Sequence, residues 1–429
     1  MKAAFYTLGC KVNQTESEAL AGIFRAGGYE IVPFEERADV YVINTCTVTN
    51  MGDRKSRQVI RRAGKANPEG TVVVMGCYAQ VAPDEVSRIP GVDLVVGTRD
   101  RGRILELVDR ARGGEEPVNM VRETWQGAVF EELPLLETES RVRATLKIQE
   151  GCNQFCTYCI IPYARGPVRS RDPEKALQEA ERLVGAGYKE LILTGIHTGA
   201  YGIDLGLDLN YLVSRLAELQ GLERLRLSSV ESTEFTPGLV KTIAGNPVVC
   251  PHLHIPLQSG SDRTLARMNR PYSRGEFEGI VETLRGKIPD LAVTTDVIVG
   301  FPGEDETEHR DSLEFAAKME FANIHVFKYS PRTGTPASGY PGQVPPADKE
   351  ARSRDFIDLA RHLWQAYASR FLGRSLEVLV EQEVGEDQWE GHTATYLRVR
   401  FPGSGDQRGK MARVKLESLA EGYLRGKTE

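Results

Sequence analysis

Three absences limit what this chain of 429 residues can be. No stretch approaches the roughly 18 consecutive apolar residues that a membrane-spanning helix needs, so we expect no membrane association. The first residues, Met1–Tyr6, enter a strand-like segment without the hydrophobic region of a signal peptide, which favours a cytoplasmic protein. Positive charge is not in excess, because the formal net charge is -6. That charge does not indicate a nucleic-acid-binding protein, but local basic patches matter more than the sum.

Cysteine is scarce, and each group of cysteines lacks a fourth member. An odd total of seven argues against a secreted disulfide scaffold. A compact set has C-x3-C-x2-C spacing, and a second set is dispersed along the first 77 residues; the two sets are Cys152, Cys156 and Cys159, and Cys10, Cys46 and Cys77. Structural zinc takes four closed ligands and a 4Fe–4S cube usually takes four cysteines. Three thiolates on a cube would leave one iron open for another ligand. A zinc site completed by His252 or His254 is the alternative, and Cys250 is interpreted as a buried thiol.

The first 112 residues alternate strand and helix patterns, which predicts an open parallel sheet covered by helices. Strands are expected at 3–8, 40–44, 71–75 and 94–96, and a Thr15/Glu18 capping box predicts a helix from residue 15 to 26. Cys10, Cys46 and Cys77 each follow one of these strands. Because the carboxyl ends of parallel strands share one edge, we expect the three thiols to converge there. Three independent buried cysteines are the alternative.

A second β/α series predicts a partial (β/α)6 barrel with its chemistry at the carboxyl mouth of the strands. The expected strands are 144–148, 190–194, 225–228, 252–255, 292–298 and 323–329. The compact triplet follows the first of them. Beyond a helix at 346–371, strands at 376–381, 391–400 and 410–416 predict a small β-barrel of a kind that often binds RNA or DNA. The predicted domains are 1–115, 140–371 and 372–429, with a linker at 116–139.

The compact triplet resembles the cluster motif of the radical S-adenosylmethionine (SAM) enzymes, and the wider pattern resembles their methylthiotransferase family. The matching segments cover nearly the whole chain: residues 7–14, 44–46, 76–77, 151–159, 162–171, 194–202, 254–261 and 296–304. The Leu8-Gly-Cys-Lys-Val-Asn-Gln14 segment resembles the branch that modifies N6-threonylcarbamoyladenosine at tRNA position 37. The resemblance implies an N-terminal methylthiotransferase domain, a radical SAM domain and a terminal barrel similar to a TRAM domain.

The resemblance also implies cofactors and contacts. Two 4Fe–4S clusters would sit on the two cysteine sets, and SAM would serve as methyl donor and radical source. The residues implied in binding SAM are Tyr158, Gly195, Ser229, Glu231, Gly300 and Phe301. The family's Gly-Gly-Glu-type turn reads Thr194-Gly195-Ile196 here, without the acid. A solvated loop acid is the alternative for Glu231, and a simple turn for Gly300. No catalytic residue is implied beyond the cluster ligands.

The function that the resemblance implies is methylthiolation of adenine carbon 2 in the tRNA anticodon loop. Its partners would be tRNA, an electron donor such as a flavodoxin or ferredoxin, and a sulfur donor that the sequence does not identify. Arg165, Arg169 and Arg171 would contact substrate phosphate or the SAM carboxylate, or else form structural ion pairs. The alternative functions are methylthiolation of a ribosomal-protein aspartate or of isopentenyladenosine, and a non-catalytic, metal-stabilised RNA-binding protein.

Overall fold

The computed structural model describes residues 1–112, 114, 117–127, 129–133, 135 and 142–429. Within them the strands of the N-terminal sheet are β1 (Lys2–Thr7), β2 (Glu30–Val32), β3 (Val40–Thr45), β4 (Thr71–Gly76), β5 (Leu94–Val96) and β6 (Val118–Asn119). The six strands are parallel and lie in the order β2-β1-β3-β4-β5-β6. Every residue of β3 and β4 is buried, as their continuous apolar sequences predict for central strands covered on both faces.

Helices cover both faces of this sheet: α1 (Lys11–Ala26), α2 (Asn50–Ala66), α3 (Cys77–Val81), α4 (Pro83–Ser87) and α5 (Ile104–Ala111). Helices α1 and α5 pack on one face, and α2, α3 and α4 pack on the other. The predicted start of the first helix at Thr15 is wrong. The helix begins at Lys11, with Cys10 as its N-cap residue, and the Thr15 hydroxyl donates to the carbonyl of Lys11 inside the helix.

The central region is the expected partial barrel, in which two three-stranded parallel sheets are joined by isolated bridges from Leu225 to Val249 and from Ser229 to His254. Its strands are β7 (Arg143–Lys147), a hairpin of β8 (Gln149–Glu150) and β9 (Arg169–Ser170), β10 (Glu190–Thr194), β11 (Arg224–Leu227), β12 (His252–His254), β13 (Ala292–Val299) and β14 (Asn323–Lys328). Alternate residues such as Leu191 and Leu193 pack under the helices. The intervening residues therefore face the interior of the barrel.

The longer helices of the central region lie outside these strands. The helices of this region are α6 (Ile161–Arg165), α7 (Pro173–Gly185), α8 (Leu209–Leu216), α9 (Pro237–Gly245), α10 (Asp262–Arg267), α11 (Arg274–Lys287), α12 (Glu306–Lys318) and α13 (Pro346–Ser369). None of the helices among the described residues combines the length and the apolar character that crossing a bilayer requires.

The C-terminal segment closes into a five-stranded barrel of β15 (Ser375–Gly385), β16 (Gln388–Thr393), β17 (Arg398–Pro402), β18 (Met411–Ala420) and β19 (Tyr423–Thr428). The single strand expected at 391–400 is in fact two. A turn separates them, because the amide of Tyr396 donates to the carbonyl of Thr393 and Tyr396 adopts a left-handed conformation with a φ of 67°.

The terminal barrel docks where the central strands begin, at the opposite end from the cysteine triplet. Arg224 and Arg226 donate to the carbonyl oxygens of His392 and Ala394 at 2.8 and 2.9 Å. Arg143, the first residue of β7, pairs with Glu381 at 2.8 Å. The barrel therefore closes the floor of the central barrel and leaves its carboxyl mouth to the N-terminal sheet.

The proposed domain boundaries remain predictions. Strand β6 lies within the segment expected to be a linker at 116–139 and adds to the N-terminal sheet. Residues 116, 128, 134 and 136–139 of that segment lie outside the described residues.

Gly391 tests the packing of the terminal barrel. A Cβ atom at this position would lie 2.1 Å from the carbonyl oxygen of Leu379 on β15. We expect Gly391→Ala to destabilise the barrel by about 2 kcal/mol through overpacking, seen as a lower midpoint of thermal unfolding. Gly385→Ala is the matched control, because its nearest neighbours are side-chain atoms of Gln388 at 3.7 and 3.9 Å. Equal midpoints for the two variants would contradict this packing.

Candidate iron–sulfur and SAM site

The three N-terminal thiols occupy equivalent positions after adjacent strands. Cys10 follows β1, Cys46 follows β3, and Cys77 follows β4 as the first residue of α3. Gly9, with a φ of 110°, lets the segment of Cys10 lie close to that of Cys46. A Cβ atom at Gly9 would lie only 3.3 Å from the sulfur of Cys46. Burial raises the pKa of the Cys77 thiol to about 12, and the charges of Cys10 and Cys46 add to this rise. The expectation that the three thiols converge on one edge is met.

The second triplet occupies the loop after β7 and β8, at the mouth of the central barrel. Gly151, just before Cys152, has a φ of 76°, and a Cβ there would lie 1.8 Å from the carbonyl oxygen of Pro167. The loop is also held by Thr157, whose amide donates to the carbonyl of Met268 at 3.0 Å. Burial raises the pKa of Cys159 to about 12, with the charge of Cys156 as the next cause.

The spacing of the thiols does not suit a single zinc ion. Sulfurs bound about 2.3 Å from a tetrahedral zinc lie about 3.8 Å apart. Across the part of the chain that the structure describes, one group of three or more His, Cys, Asp or Glu side chains has all its ligand atoms within 4.8 Å, and it contains no cysteine. At least one pair of sulfurs in each triplet is therefore too far apart for one zinc ion. A multi-iron group with thiolate ligands is larger than one ion and can span more widely spaced sulfurs.

The two histidines of the zinc alternative contact other side chains. His252 stacks on Tyr396 with ring centroids 4.8 Å apart. His254 contacts Asp296, with 3.3 Å between Nε2 and Oδ2. The imidazole beside the triplet is that of His197, whose Nδ1 lies 3.6 Å from the Cys152 sulfur.

One arginine donates to a thiol in each set. Arg165 Nε lies 3.1 Å from the sulfur of Cys77, and Arg270 Nη1 lies 3.2 Å from the sulfur of Cys156. Both guanidinium groups are buried. An arginine charge beside a thiol favours the thiolate, which is the form that binds metal. Arg270 was not identified from the sequence, because it is 114 positions from the cysteine that it contacts.

A buried ionic network joins the N-terminal sheet to the central barrel. Glu16 of α1 pairs with Arg101 at 2.5 Å, with Lys147 at 2.7 Å and with Arg165 at 2.6 Å. Glu150 also pairs with Lys147 and Arg165. Burial alone would raise the pKa of Glu16, but the charges of Arg101 and Arg165 hold it well below its ordinary value. The carboxylates are therefore charged and fully paired across the domain interface.

A second contact between the two domains lies next to Cys46. Arg332, from the loop after β14, pairs with Asp53 at 2.6 Å and donates to the hydroxyl of Thr47 at 2.5 Å. It also donates to the side chain of Asn50 at 2.6 Å. Together the two contacts fix the N-terminal thiols against the mouth of the central barrel.

The expected SAM contacts lie after strands at the same mouth. Tyr158 is part of the triplet loop and packs edge-on against Phe301, which is fully buried. Gly195 follows β10, and a Cβ there would lie 2.8 Å from the side-chain oxygen of Gln149. Gly300, after β13, has a φ of 71°. The roles of these residues in binding SAM stay predictions.

Two further predicted contacts follow β11. Ser229 forms the isolated bridge to His254. Glu231 is not a solvated loop acid, because it is ion-paired with Arg270. Arg270 connects Glu231 to the triplet loop through its hydrogen bond to Cys156, and the contact of Glu231 with SAM also stays a prediction.

The arginines of the 165–171 segment form structural contacts. Arg165 joins the interdomain network, and Arg171 pairs with Glu132 and Glu179 at 2.8 and 2.6 Å. Arg169 Nη2 donates to the carbonyl of Arg165 at 2.9 Å. Its Nε and Nη1 are buried without a hydrogen-bond partner among the described residues. Arg165 and Arg171 therefore form structural ion pairs, the second of the two alternatives given for this segment.

The barrel interior carries a polar group that sequence analysis did not identify. His254, Asp296 and His325 come from three adjacent strands and hold their ligand atoms within 4.8 Å of one another. The two imidazoles stack with centroids 5.4 Å apart, and each contacts a different oxygen of Asp296. The signal in the sequence was polar residues at inward positions of three successive strands.

Comparisons with known proteins agree with this architecture. A family model described as "Uncharacterized protein family UPF0004" matches residues 2–97, and the Radical SAM superfamily model matches residues 146–316. The threonylcarbamoyladenosine tRNA methylthiotransferase MtaB of Bacillus subtilis (strain 168) is 48% identical over 427 residues, covering 98% of this chain and 94% of that protein. The chain belongs to the methylthiotransferase family of radical SAM enzymes, in the MtaB branch.

Two further proteins are less similar to this chain. The tRNA-2-methylthio-N(6)-dimethylallyladenosine synthase of Moorella thermoacetica is 38% identical, with 98% of this chain and 96% of that protein covered. The solved structure of the radical SAM methyltransferase TsrM from Kitasatospora setae shares the fold, with a TM-score of 0.60 at 14% identity over 79% of this chain and 77% of that one. The cofactors of this methylthiotransferase are SAM and 4Fe–4S clusters, and the all-thiolate donor sets described above fit such clusters.

Gly76 tests whether Cys77 is a cluster ligand. It precedes Cys77 with a φ of 94°, and a Cβ would lie 2.4 Å from Oδ1 of Asn44 and 2.7 Å from the carbonyl oxygen of Thr45. We expect Gly76→Ala to displace Cys77 and to lower the iron content from about eight to about four atoms per chain.

The matched control is Gly28→Ala, which has a similar φ of 84° but nothing within 4 Å of the added Cβ. It should keep the full iron content. An unchanged iron content in Gly76→Ala would contradict the placement of a cluster on Cys77.

Proposed function

We propose that this enzyme adds a methylthio group to carbon 2 of N6-threonylcarbamoyladenosine at position 37, in the anticodon loop of tRNA. The observation that carries the proposal is the pair of three-thiol sets held towards each other at two strand-end edges by a buried interdomain network. The B. subtilis relative named for this substrate supports the assignment over nearly the full chain.

In this proposal Cys10, Cys46 and Cys77 hold one 4Fe–4S cluster, and Cys152, Cys156 and Cys159 hold the other. When bound, the clusters and SAM supply methylated sulfur and the homolytic chemistry that an aryl C–H bond requires, because that bond is too strong and too weakly acidic for acid–base catalysis. The protein orients these groups and excludes water from the space between them.

The SAM-binding residues of the proposal are Tyr158, Gly195, Ser229, Glu231, Gly300 and Phe301. Glu231 is held by Arg270, which also donates to Cys156, so a ligand beside Glu231 would lie next to the triplet. Electrons would come from a small donor protein such as a flavodoxin or ferredoxin.

Two basic surfaces support an RNA substrate. Helix α2 begins four residues after Cys46 and exposes Arg54, Lys55, Arg61 and Lys65. The terminal barrel, which we propose is TRAM-like, exposes further cations, among them Arg398, Lys410 and Lys415. Phosphate contacts of this kind make binding fall steeply as salt rises. Position 37 lies in a loop, so its base can be turned out without melting a full duplex.

A second candidate substrate is N6-dimethylallyladenosine, for which the M. thermoacetica relative is named. The interior of the central barrel favours the threonylcarbamoyl substituent. Its walls present the polar group of His254, Asp296 and His325, with which a polar substituent can form hydrogen bonds that a hydrocarbon substituent cannot. A threonylcarbamoyl group, with its carboxylate, hydroxyl and amide, can form them.

We expect Cys46→Ala and Cys152→Ala to separate the two cluster functions. Cys152→Ala should form no deoxyadenosine from SAM under reducing conditions, because the radical-generating cluster loses a ligand. Cys46→Ala should keep deoxyadenosine formation but yield no methylthio product. Deoxyadenosine and the methylthio product are both measured by mass spectrometry of the reaction with tRNA that carries N6-threonylcarbamoyladenosine.

The control is Cys250→Ala, whose buried thiol lies outside both sets and should leave both products unchanged. Deoxyadenosine from Cys152→Ala would remove the radical assignment. A methylthio product from Cys46→Ala would show that the N-terminal thiols are only structural. If the wild-type enzyme modified only tRNA that carries N6-dimethylallyladenosine, that nucleoside would be the substrate instead.

A further inference from the structure

Arg165 belongs to the central barrel but donates to a thiol of the N-terminal sheet. It is the last residue of α6, six positions after Cys159, and it is fully buried. Its Nε lies 3.1 Å from the sulfur of Cys77. Its terminal nitrogens donate to Glu16 at 2.6 Å, to Glu150 at 3.0 Å and to Asn13 at 2.5 Å. Each nitrogen of the guanidinium group therefore has a partner, which fixes the direction of the bond to sulfur.

Asn13 extends this arrangement to the other two thiols. Its Oδ1, which accepts from Arg165, lies 3.8 Å from the sulfur of Cys10. Its Nδ2 donates to the carbonyl oxygens of Leu8 and Thr45, at 2.8 and 3.0 Å. Thr45 directly precedes Cys46. Arg165 is thus connected to all three N-terminal thiol segments, directly to that of Cys77 and through Asn13 to those of Cys10 and Cys46.

A cation that donates to a ligand sulfur favours the more negative, reduced state of a cluster. Hydrogen bonds to sulfur and nearby charge are among the features by which a protein sets the reduction potential of an iron–sulfur cluster. The effect is larger in a buried site, where water does not screen the charge.

We propose that Arg165 is a positioning residue that raises the reduction potential of the cluster on Cys10, Cys46 and Cys77, so that this potential depends on the docking of the central barrel. The inference rests on the proposed function in one respect, namely that these three thiols hold a cluster.

The test is a redox titration of the full chain followed by electron paramagnetic resonance. Cys152, Cys156 and Cys159 are replaced by alanine in every sample, so that the only signal is that of the N-terminal cluster. In this background Arg165→Gln should lower the midpoint potential. At the midpoint of the parent, the ratio of reduced to oxidised cluster should fall about tenfold, which corresponds to 59 mV for one electron.

Arg101→Gln is the matched control. Arg101 is equally buried and pairs with Glu16 at 2.5 Å, as Arg165 does at 2.6 Å, but its hydrogen bonds and ion pairs are to carboxylates. It should lower the midpoint less than Arg165→Gln does, although it removes the same charge from the same network. A midpoint for Arg165→Gln equal to that of the parent, or an equal shift in both variants, would overturn the inference.

Removing one arginine leaves the buried carboxylate of Glu16 with one partner fewer, which weakens the fold. Two double variants that also remove the charge of Glu16 keep the test decisive. Glu16→Gln combined with Arg165→Gln should lower the midpoint potential, whereas Glu16→Gln combined with Arg101→Gln should not. Equal midpoints for these double variants would also overturn the inference. A parent protein that binds no iron would instead refute the proposed cluster on the N-terminal thiols, and the inference with it.

Discussion

The structure depends on a set of charges buried between two domains. Glu16 and Glu150 lie in an interior from which water is excluded, and Arg101, Lys147 and Arg165 neutralise them. Burying such charges is costly, so the arrangement is stable only when every partner is in place. Separating the domains, or rotating one on the other, would leave ions unpaired. The network therefore specifies one relative orientation, and in that orientation the two thiol sets face the same space.

Both thiol sets use the same structural rule. Parallel strands end at a common edge, and residues just beyond those ends are free of ladder hydrogen bonds and converge. The N-terminal sheet brings Cys10, Cys46 and Cys77 together from three strands, whereas the central barrel presents its triplet from one loop. An arginine donates to a thiol in each case, which balances the charge of thiolate ligands in a buried site. The terminal barrel, docked where the central strands begin, leaves this mouth unobstructed.

Sequence patterns predicted the features that depend on local periodicity. Apolar runs located β3 and β4, and the strand-end positions of the cysteines followed from them. Errors arose where a side chain plays an unusual part. Cys10 at the start of α1 is not a common N-cap residue, so the sequence pattern predicts a start at Thr15 instead. The turn between β16 and β17 uses a left-handed tyrosine, which sequence patterns rarely signal. Arg270 and Arg332 could not be assigned, because their partners are 114 and 279 positions away.

The most direct test of two facing clusters is electron paramagnetic resonance of the reduced, anaerobically purified protein before and after addition of SAM. Two facing clusters predict about eight irons per chain and two 4Fe–4S signals, of which SAM perturbs only the one that requires Cys152. A single cluster, a lone zinc ion, or a response to SAM of the signal that remains when Cys152 is absent would contradict this prediction.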